Sequence, residues 1–479
     1  MKYSIVWFRQ DLRLTDNPAL HHATRSADVV LPLYVHAPRE AHPWSPGAAS
    51  DWWRHHSLSQ LQELIQKQGS RLLIRRGPSL EALLALIRES GAQAVYWNRL
   101  YEPQLARRDQ HIAATLRSIG IEVHEYHGAL LHAPDSVKTH QGTPFRVFTP
   151  FWRTCQQHSL GDTPLPAPQR LTPHRLGGEP LEALELLPRI PWDHGLADNW
   201  QPGEAAALQQ LQAFGEGALN DYDEGRDFPG RNDTSRLSPH LAFGEISPRQ
   251  IVTAVLNAFV EDATRGNQID TFLSELGWRE FAYHCLHHFP EMTDRPLNPR
   301  FEHFSWQHDP GLLDAWQQGR TGIPMVDAGM RQLWHSGWMH NRVRMVVASF
   351  LTKNGLQPWQ DGARWFWDTL VDADLASNSF NWQWVAGCGL DAAPYFRIFN
   401  PVRQSERFDP QGRYLLRWLP ELTPLPLRWL HTPWLAPQGV QRDCGVHIGR
   451  DYPTPLLDLS RSRQRALSRF KQLPAVSHA

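Results

Sequence analysis

Thirteen residues, 372–384, hold two carboxylates (Asp372, Asp374), a side-chain amide (Asn378) and two indoles (Trp382, Trp384). The mixture is too polar for a core and too aromatic for a solvated loop. Asn378 and Trp382 stand four apart, so on a helix they share a face and address one object. A planar, redox-active ligand suits that pair; the competing reading is a buried helix whose polar groups are satisfied within the protein. Three further constellations invite the same question. Thr234, Ser235 and Ser238 crowd a turn before a helix start, which makes either an anion cradle or a plain cap. Glu275, Trp278 and Arg279 fall at i, i+3 and i+4, as a pocket rim or as an ion pair beside a core indole. Trp338, Asn341, Arg342 and Met345 follow at i, i+3, i+4 and i+7 of a helix expected over 334–351, a stripe too polar for ordinary core.

These groups need a scaffold, and 479 residues are enough for two or three domains. Strand-like runs at 3–8, 29–36, 71–76, 94–98 and 121–125 alternate with helical ones at 18–23, 50–67, 80–90 and 104–118. Alternation of that kind implies a parallel, Rossmann-like sheet with right-handed crossovers. No G-x-G-x-x-G or Walker loop follows the first strand, so a pyrophosphate site of those kinds is unsupported. Residues 128–202 are rich in Pro and Leu and read as a linker laid over the surface; beyond 202 the pattern is helical to the end. The expected organisation is an α/β N-terminal domain at 1–130, a linker at 131–200 and an all-α domain at 201–479.

Composition narrows the function. No apolar run approaches a membrane span, and the chain enters a strand directly after its first residues, so a soluble, unexported, cytoplasmic protein is expected. The four cysteines are widely spaced, which suggests neither disulfides nor zinc. The pairs His21-His22, His55-His56 and His287-His288 lie about 100° apart on any helix, and H-E-x-x-H is absent, so no metal site is expected. A net charge of −1 argues against a uniformly basic nucleic-acid binder but permits a local arginine patch. The 21 tryptophans exceed what a core needs and leave room for an aromatic function.

Residues 371–400 resemble the flavin-binding signature of the photolyase/cryptochrome family, and similar motifs recur over 6–458. They include Trp7-Phe8-Arg9-Gln10-Asp11-Leu12-Arg13-Leu14 followed by Asp16-Asn17-Pro18-Ala19-Leu20, and Thr234-Ser235-Arg236-Leu237-Ser238. The resemblance implies an FAD bed of Tyr222, Thr234, Ser235, Arg236, Leu237, Ser238, Glu275, Trp338, Asn341, Arg344, Asp372, Ala373, Asp374 and Asn378. It places Arg226, Glu275, Trp278, Arg279, Asn341, Arg342, Met345, Trp384, Arg397 and Gln404 at a DNA and lesion pocket. Glu275, Asn341, Met345 and Asn378 would serve catalysis, and Trp382, Trp359 and Trp306 would carry electrons from the surface. The implied activity is light-driven repair of cyclobutane pyrimidine dimers in UV-damaged DNA, by an electron from excited, reduced FAD.

Asn378 bears on the choice within the family, because plant photoreceptor relatives have a carboxylic acid there and animal ones a cysteine. The amide favours repair over blue-light signalling, as does the lack of a long extension after Asp458. Repair of (6-4) lesions is a further alternative, but His340 alone does not reproduce that branch's histidine-rich helix. A flavin oxidoreductase is more distant. The motif Trp382-Gln383-Trp384 through Arg397 resembles the bacterial class III branch. Residues 44–56, with Trp52 and Trp53 near the start of an expected helix, resemble the edge at which some members hold an antenna, a reduced folate (methenyltetrahydrofolate) before a deazaflavin, with no antenna as the third reading. Leu105 departs from one folate-binding pattern, which has a carboxylate after the amide matched by Gln104. A monomer is expected.

Overall fold

The computed structural model describes residues 1–158, 160 and 163–474; residues 475–479 of the expected helical domain lie outside the described residues. Five parallel strands form one sheet in the order β3-β2-β1-β4-β5: β1 Tyr3–Phe8, β2 Val29–His36, β3 Leu73–Arg76, β4 Ala94–Asn98 and β5 Glu122–Tyr126. The period-2 pattern decides its layers. Val6 and Phe8 point into a core shared with helices α1 (Pro18–Ser26) and α2 (Ala48–Lys67). Ile5 and Trp7 point into one shared with α3 (Ser79–Ser90) and α4 (Pro103–Ser118). β3 starts two residues later than expected, and β5 is displaced by one.

In such sheets ligands favour the crevice where strand order reverses, here between β1 and β4. This crevice is filled. Arg9, Asp11, Arg13, Asp16, Asn17 and Asn98 are all buried. Asn98 donates to Asp11 (2.6 Å) and Asn17 (2.8 Å), while Arg9 pairs with Asp109 at 2.9 Å. Arg13 reaches the carbonyls of Gly128 (2.7 Å) and Gly244 (2.8 Å), and Asp16 pairs with Arg249 at 2.9 Å. The family motif over residues 7–20 therefore bolts the sheet to the helical half. Asn17 caps α1, accepting the Leu20 N–H at 3.1 Å.

The proline-rich passage is no free tether, since Leu130, Phe145, Phe151 and Trp152 enter one core and Leu181, Leu184 and Trp200 another. From Glu204 onward the regular elements are helices, with one isolated bridge between Ile448 and Tyr452. None of the described helices is long and apolar enough to cross a membrane.

Candidate functional site: a cavity between three helices

Helix Leu375–Ala386 begins because Asp374 accepts the Ser377 N–H at 2.7 Å, and it ends at Gly387 in the left-handed region. Asn378 and Trp382 lie one turn apart and both face a cavity of about 480 Å³, as the sequence spacing implies. The Asn378 amide donates to the carbonyl of Ala363 at 2.9 Å, which fixes its plane. Helix Trp359–Thr369 can come this close because residue 362 is glycine; a Cβ there would lie 2.1 Å from the Trp382 ring.

Helix Gly266–His288 contributes Glu275, Trp278 and Arg279 to the wall, and helix Asn341–Ser349 contributes Asn341, Arg342, Arg344 and Met345. The continuous helix expected over 334–351 is not found. Helix Pro324–Ser336 stops where Gly337 turns left-handed (φ 64°), and His340 starts the next by accepting the Arg342 N–H at 3.2 Å. Trp338 therefore reaches the cavity from a turn, not as part of a helical stripe. Burial, followed by the charge of Arg342, pushes His340 down to about 3, so its imidazole is neutral.

Charges come in pairs. Arg344 and the Ser238 hydroxyl both donate to one oxygen of Asp372 at 2.7 Å, while the other oxygen is buried without a partner. At the mouth Arg226 pairs with Glu275 at 2.7 Å, and Arg342 pairs with Asp227 while lying 4.4 Å from the Phe408 centroid. Asp374 is on the wall, but one oxygen caps its helix and the other accepts the Tyr283 hydroxyl. Each wall carboxylate thus carries at least one charge or hydrogen-bond partner, and only one buried oxygen of Asp372 is left without one.

Ala373 and Trp384 are also on the wall. Several expected residues are not on it. Tyr222 is buried edge-on against Phe214 and Phe272, and Leu237 is core. Thr234, Ser235 and Arg236 lie in the adjoining turn; Ser235 accepts the Leu237 N–H at 3.4 Å, so Ser238 alone of the three hydroxyl residues lines the cavity. Arg236 sits over Trp200 (4.3 Å) and Trp338 (5.3 Å), beside that end. Arg397 is exposed on a neighbouring turn, and Gln404 keeps a buried Oε1 without a partner. Trp359 is buried behind Trp382 in the same core, and Trp306 is half-buried beside Phe304 at 4.5 Å.

Asp227 and Phe148 were missing from the sequence reading. Phe148 stacks on Trp278 at 3.8 Å, and both contacts join residues more than a hundred positions apart, so no local pattern announces them. A second cleft, of about 300 Å³, lies between the halves against Trp44, Glu102, Gln104 and Arg107. Leu105 points into the protein instead. Of the antenna edge expected around residues 44–56, Trp44 lines this cleft, while Trp52 and Trp53 are buried and the Trp53 indole donates to Glu245 at 3.0 Å.

Residues 272–472 match the family described as the FAD binding domain of DNA photolyase, and residues 4–169 the one described as DNA photolyase. The chain is 46% identical to a deoxyribodipyrimidine photo-lyase of Agrobacterium fabrum, over 97% of each protein. It is 38% identical to cryptochrome-1 of Arabidopsis thaliana, over 99% of this chain and 72% of that protein. A bacterial class III photolyase from Agrobacterium tumefaciens superposes with a TM-score of 0.94 at 45% identity, over 99% of this chain and 98% of that one.

Proposed function

The chain belongs to the photolyase/cryptochrome family, and we propose on that footing that it repairs cyclobutane pyrimidine dimers in UV-damaged DNA under blue light, by electron transfer from photoexcited reduced FAD. The observation that carries this reading is the Asn378 amide held beside Trp382 on the wall of the main cavity. FAD, when bound, supplies light absorption and the electron. The cavity fits such a group: its size is that of a cofactor site, and the unpartnered oxygen of Asp372 needs a donor that the described protein does not provide. Asp372, Arg344, Ser238, Trp338 and Asn378 would hold the ligand, with Arg236 alongside. Trp278, Asn341 and Met345 would receive the dimer, and Arg226 and Arg342 the flanking phosphates. A cyclobutane ring gives acid–base chemistry no labile bond, so electron transfer is the step the site has to serve.

We place a reduced folate antenna in the second cleft, against Trp44 and Gln104, and expect a monomer acting in the cytoplasm, of the class III branch. The test is a UV-irradiated oligothymidine incubated with reduced, FAD-loaded protein, first in the dark and then in blue light. Ultraviolet absorbance should recover only in the light, and adding methenyltetrahydrofolate should add a near-ultraviolet band to the action spectrum. No recovery with FAD bound and reduced would overturn repair of this lesion and favour signalling or (6-4) repair. An action spectrum that follows FAD alone would remove the folate.

Trp382, Trp359 and Trp306 form the proposed electron route from the surface to the cavity. Trp306→Phe should slow photoreduction of oxidised protein while leaving repair by pre-reduced protein unchanged. Equal photoreduction rates in variant and parent would take Trp306 off the route.

A further inference from the structure

Behind the cavity wall lies a lysine with no exposed surface. Lys353 is 0% exposed and belongs to the π-helical turn Phe350–Asn354, which continues helix Asn341–Ser349. Single π-turns recur at functional positions. Its Nζ donates to the carbonyl of Arg397 at 2.9 Å and stands 5.2 Å from the Tyr395 ring centroid. No ion pair to a described carboxylate neutralises it. A buried, unpaired ammonium is costly, and an apolar side chain would fill the space without that cost. What the lysine adds is its bond to one turn.

That turn is well placed. Ala393 N–H bonds the carbonyl of Trp384, a cavity-wall residue, at 3.2 Å, and Phe399 N–H bonds Ser349 Oγ at 3.1 Å. Between these anchors Phe396 is 65% exposed and Arg397 faces solvent, an apolar side chain and a cation side by side. We infer that Lys353 is a positioning residue for DNA recognition, its buried ammonium anchoring the exposed Phe396–Arg397 turn beside the cavity and tying the grip on DNA to pH. The inference rests on the reading that damaged DNA approaches this face.

Burial brings Lys353 down to about 7, and the Arg397 charge adds to the shift. Below that value the lysine is charged and its bond to Arg397 is charge-assisted, roughly twice as strong as a neutral one. Above it the bond weakens and the turn loosens, so affinity for DNA falls as pH rises through this range. The groups packed around the lysine do not share the change. Burial pushes the Tyr395 phenol and the Cys388 thiol up, so both stay neutral. Arg465, which donates to the Asn354 carbonyl at 2.7 Å, remains a cation. His340 on the preceding helix stays neutral throughout.

The test is the dissociation constant of a UV-irradiated oligothymidine, measured in the dark at fixed ionic strength from about pH 6 to about pH 8.5. The parent should weaken about fivefold across that window. Lys353→Met should start weaker and stay flat; a profile parallel to the parent's would overturn the proposal. Should Lys353→Met not fold, amide exchange in the parent decides. The Arg397 and Ile398 amides, which bond Pro394 and Phe396 within the turn, should lose protection as pH rises, and unchanged protection factors would overturn it. Exchange needs no DNA, so absence of binding at every pH would refute the repair reading and leave the anchor to be judged by exchange alone.

Discussion

Arg344→Ala is expected to cost the folded protein about 3 to 5 kcal/mol and to leave it with little bound FAD. Asp372 is the reason. Its side chain is 3% exposed, and Arg344 is the cation paired with it among the described residues. Removing the guanidinium leaves a buried carboxylate with only the Ser238 hydroxyl donating to one oxygen and nothing donating to the other. Arg344 also ties the turn at Met339 through its Nε at 2.7 Å, so the loss loosens the segment that presents Trp338. Urea unfolding and the ratio of flavin to protein after purification measure both effects. The double variant Arg344→Ala, Asp372→Asn should regain most of the stability, because the amide no longer needs a countercharge. A single variant as stable and as yellow as the parent would mean that the pair is incidental to the site.

What could be read from the sequence was whatever local periodicity controls. The sheet was legible because short apolar runs alternate with helical ones, and helix Leu375–Ala386 because its cap, its face and its terminal glycine all lie within one stretch. The helix expected over 334–351 failed at Gly337, where a left-handed C-terminal signal outweighs an attractive i, i+3, i+4, i+7 stripe. Asn341, Arg342 and Met345 keep their helical relation, and only Trp338 changes its origin. Burial of charge was the harder matter. Nothing local says that Arg9, Asp11, Arg13 and Asp16 fill the crevice between β1 and β4, since their partners Asn98, Gly128, Gly244 and Arg249 come from distant segments. The same holds for the Arg342–Asp227 pair, which neutralises a cation that the sequence presents as free. Hydropathy gave no hint of Lys353 either, because a lysine is the last residue expected at full burial.

Trp278→Ala should weaken binding to damaged DNA by about 5- to 150-fold, the worth of stacking one base on an aromatic ring, roughly 1 to 3 kcal/mol. One side of the indole is already occupied, since Phe148 stacks on it at 3.8 Å and nearly parallel, which holds the ring in place on the cavity wall. A flipped dimer entering the cavity gains a rigid stacking partner at small entropic cost, and undamaged DNA, keeping its bases in the duplex, gains none. The loss should therefore fall on irradiated oligothymidine and spare the unirradiated strand, with the salt dependence unchanged, because an indole releases no counterions. Arg342→Ala makes the opposite signature: weaker binding to both, with a salt slope shallower by about one phosphate. Part of that loss would come from Asp227, left unpaired at the mouth and repelling the backbone. Trp278→Phe separates stacking from folding, since a phenyl ring can still lie against Phe148 and should retain most of the discrimination. Equal losses on irradiated and unirradiated strands in Trp278→Ala would show the indole to be a packing residue, and the dimer would then have to be held by Met345 and Asn341 on the opposite helix.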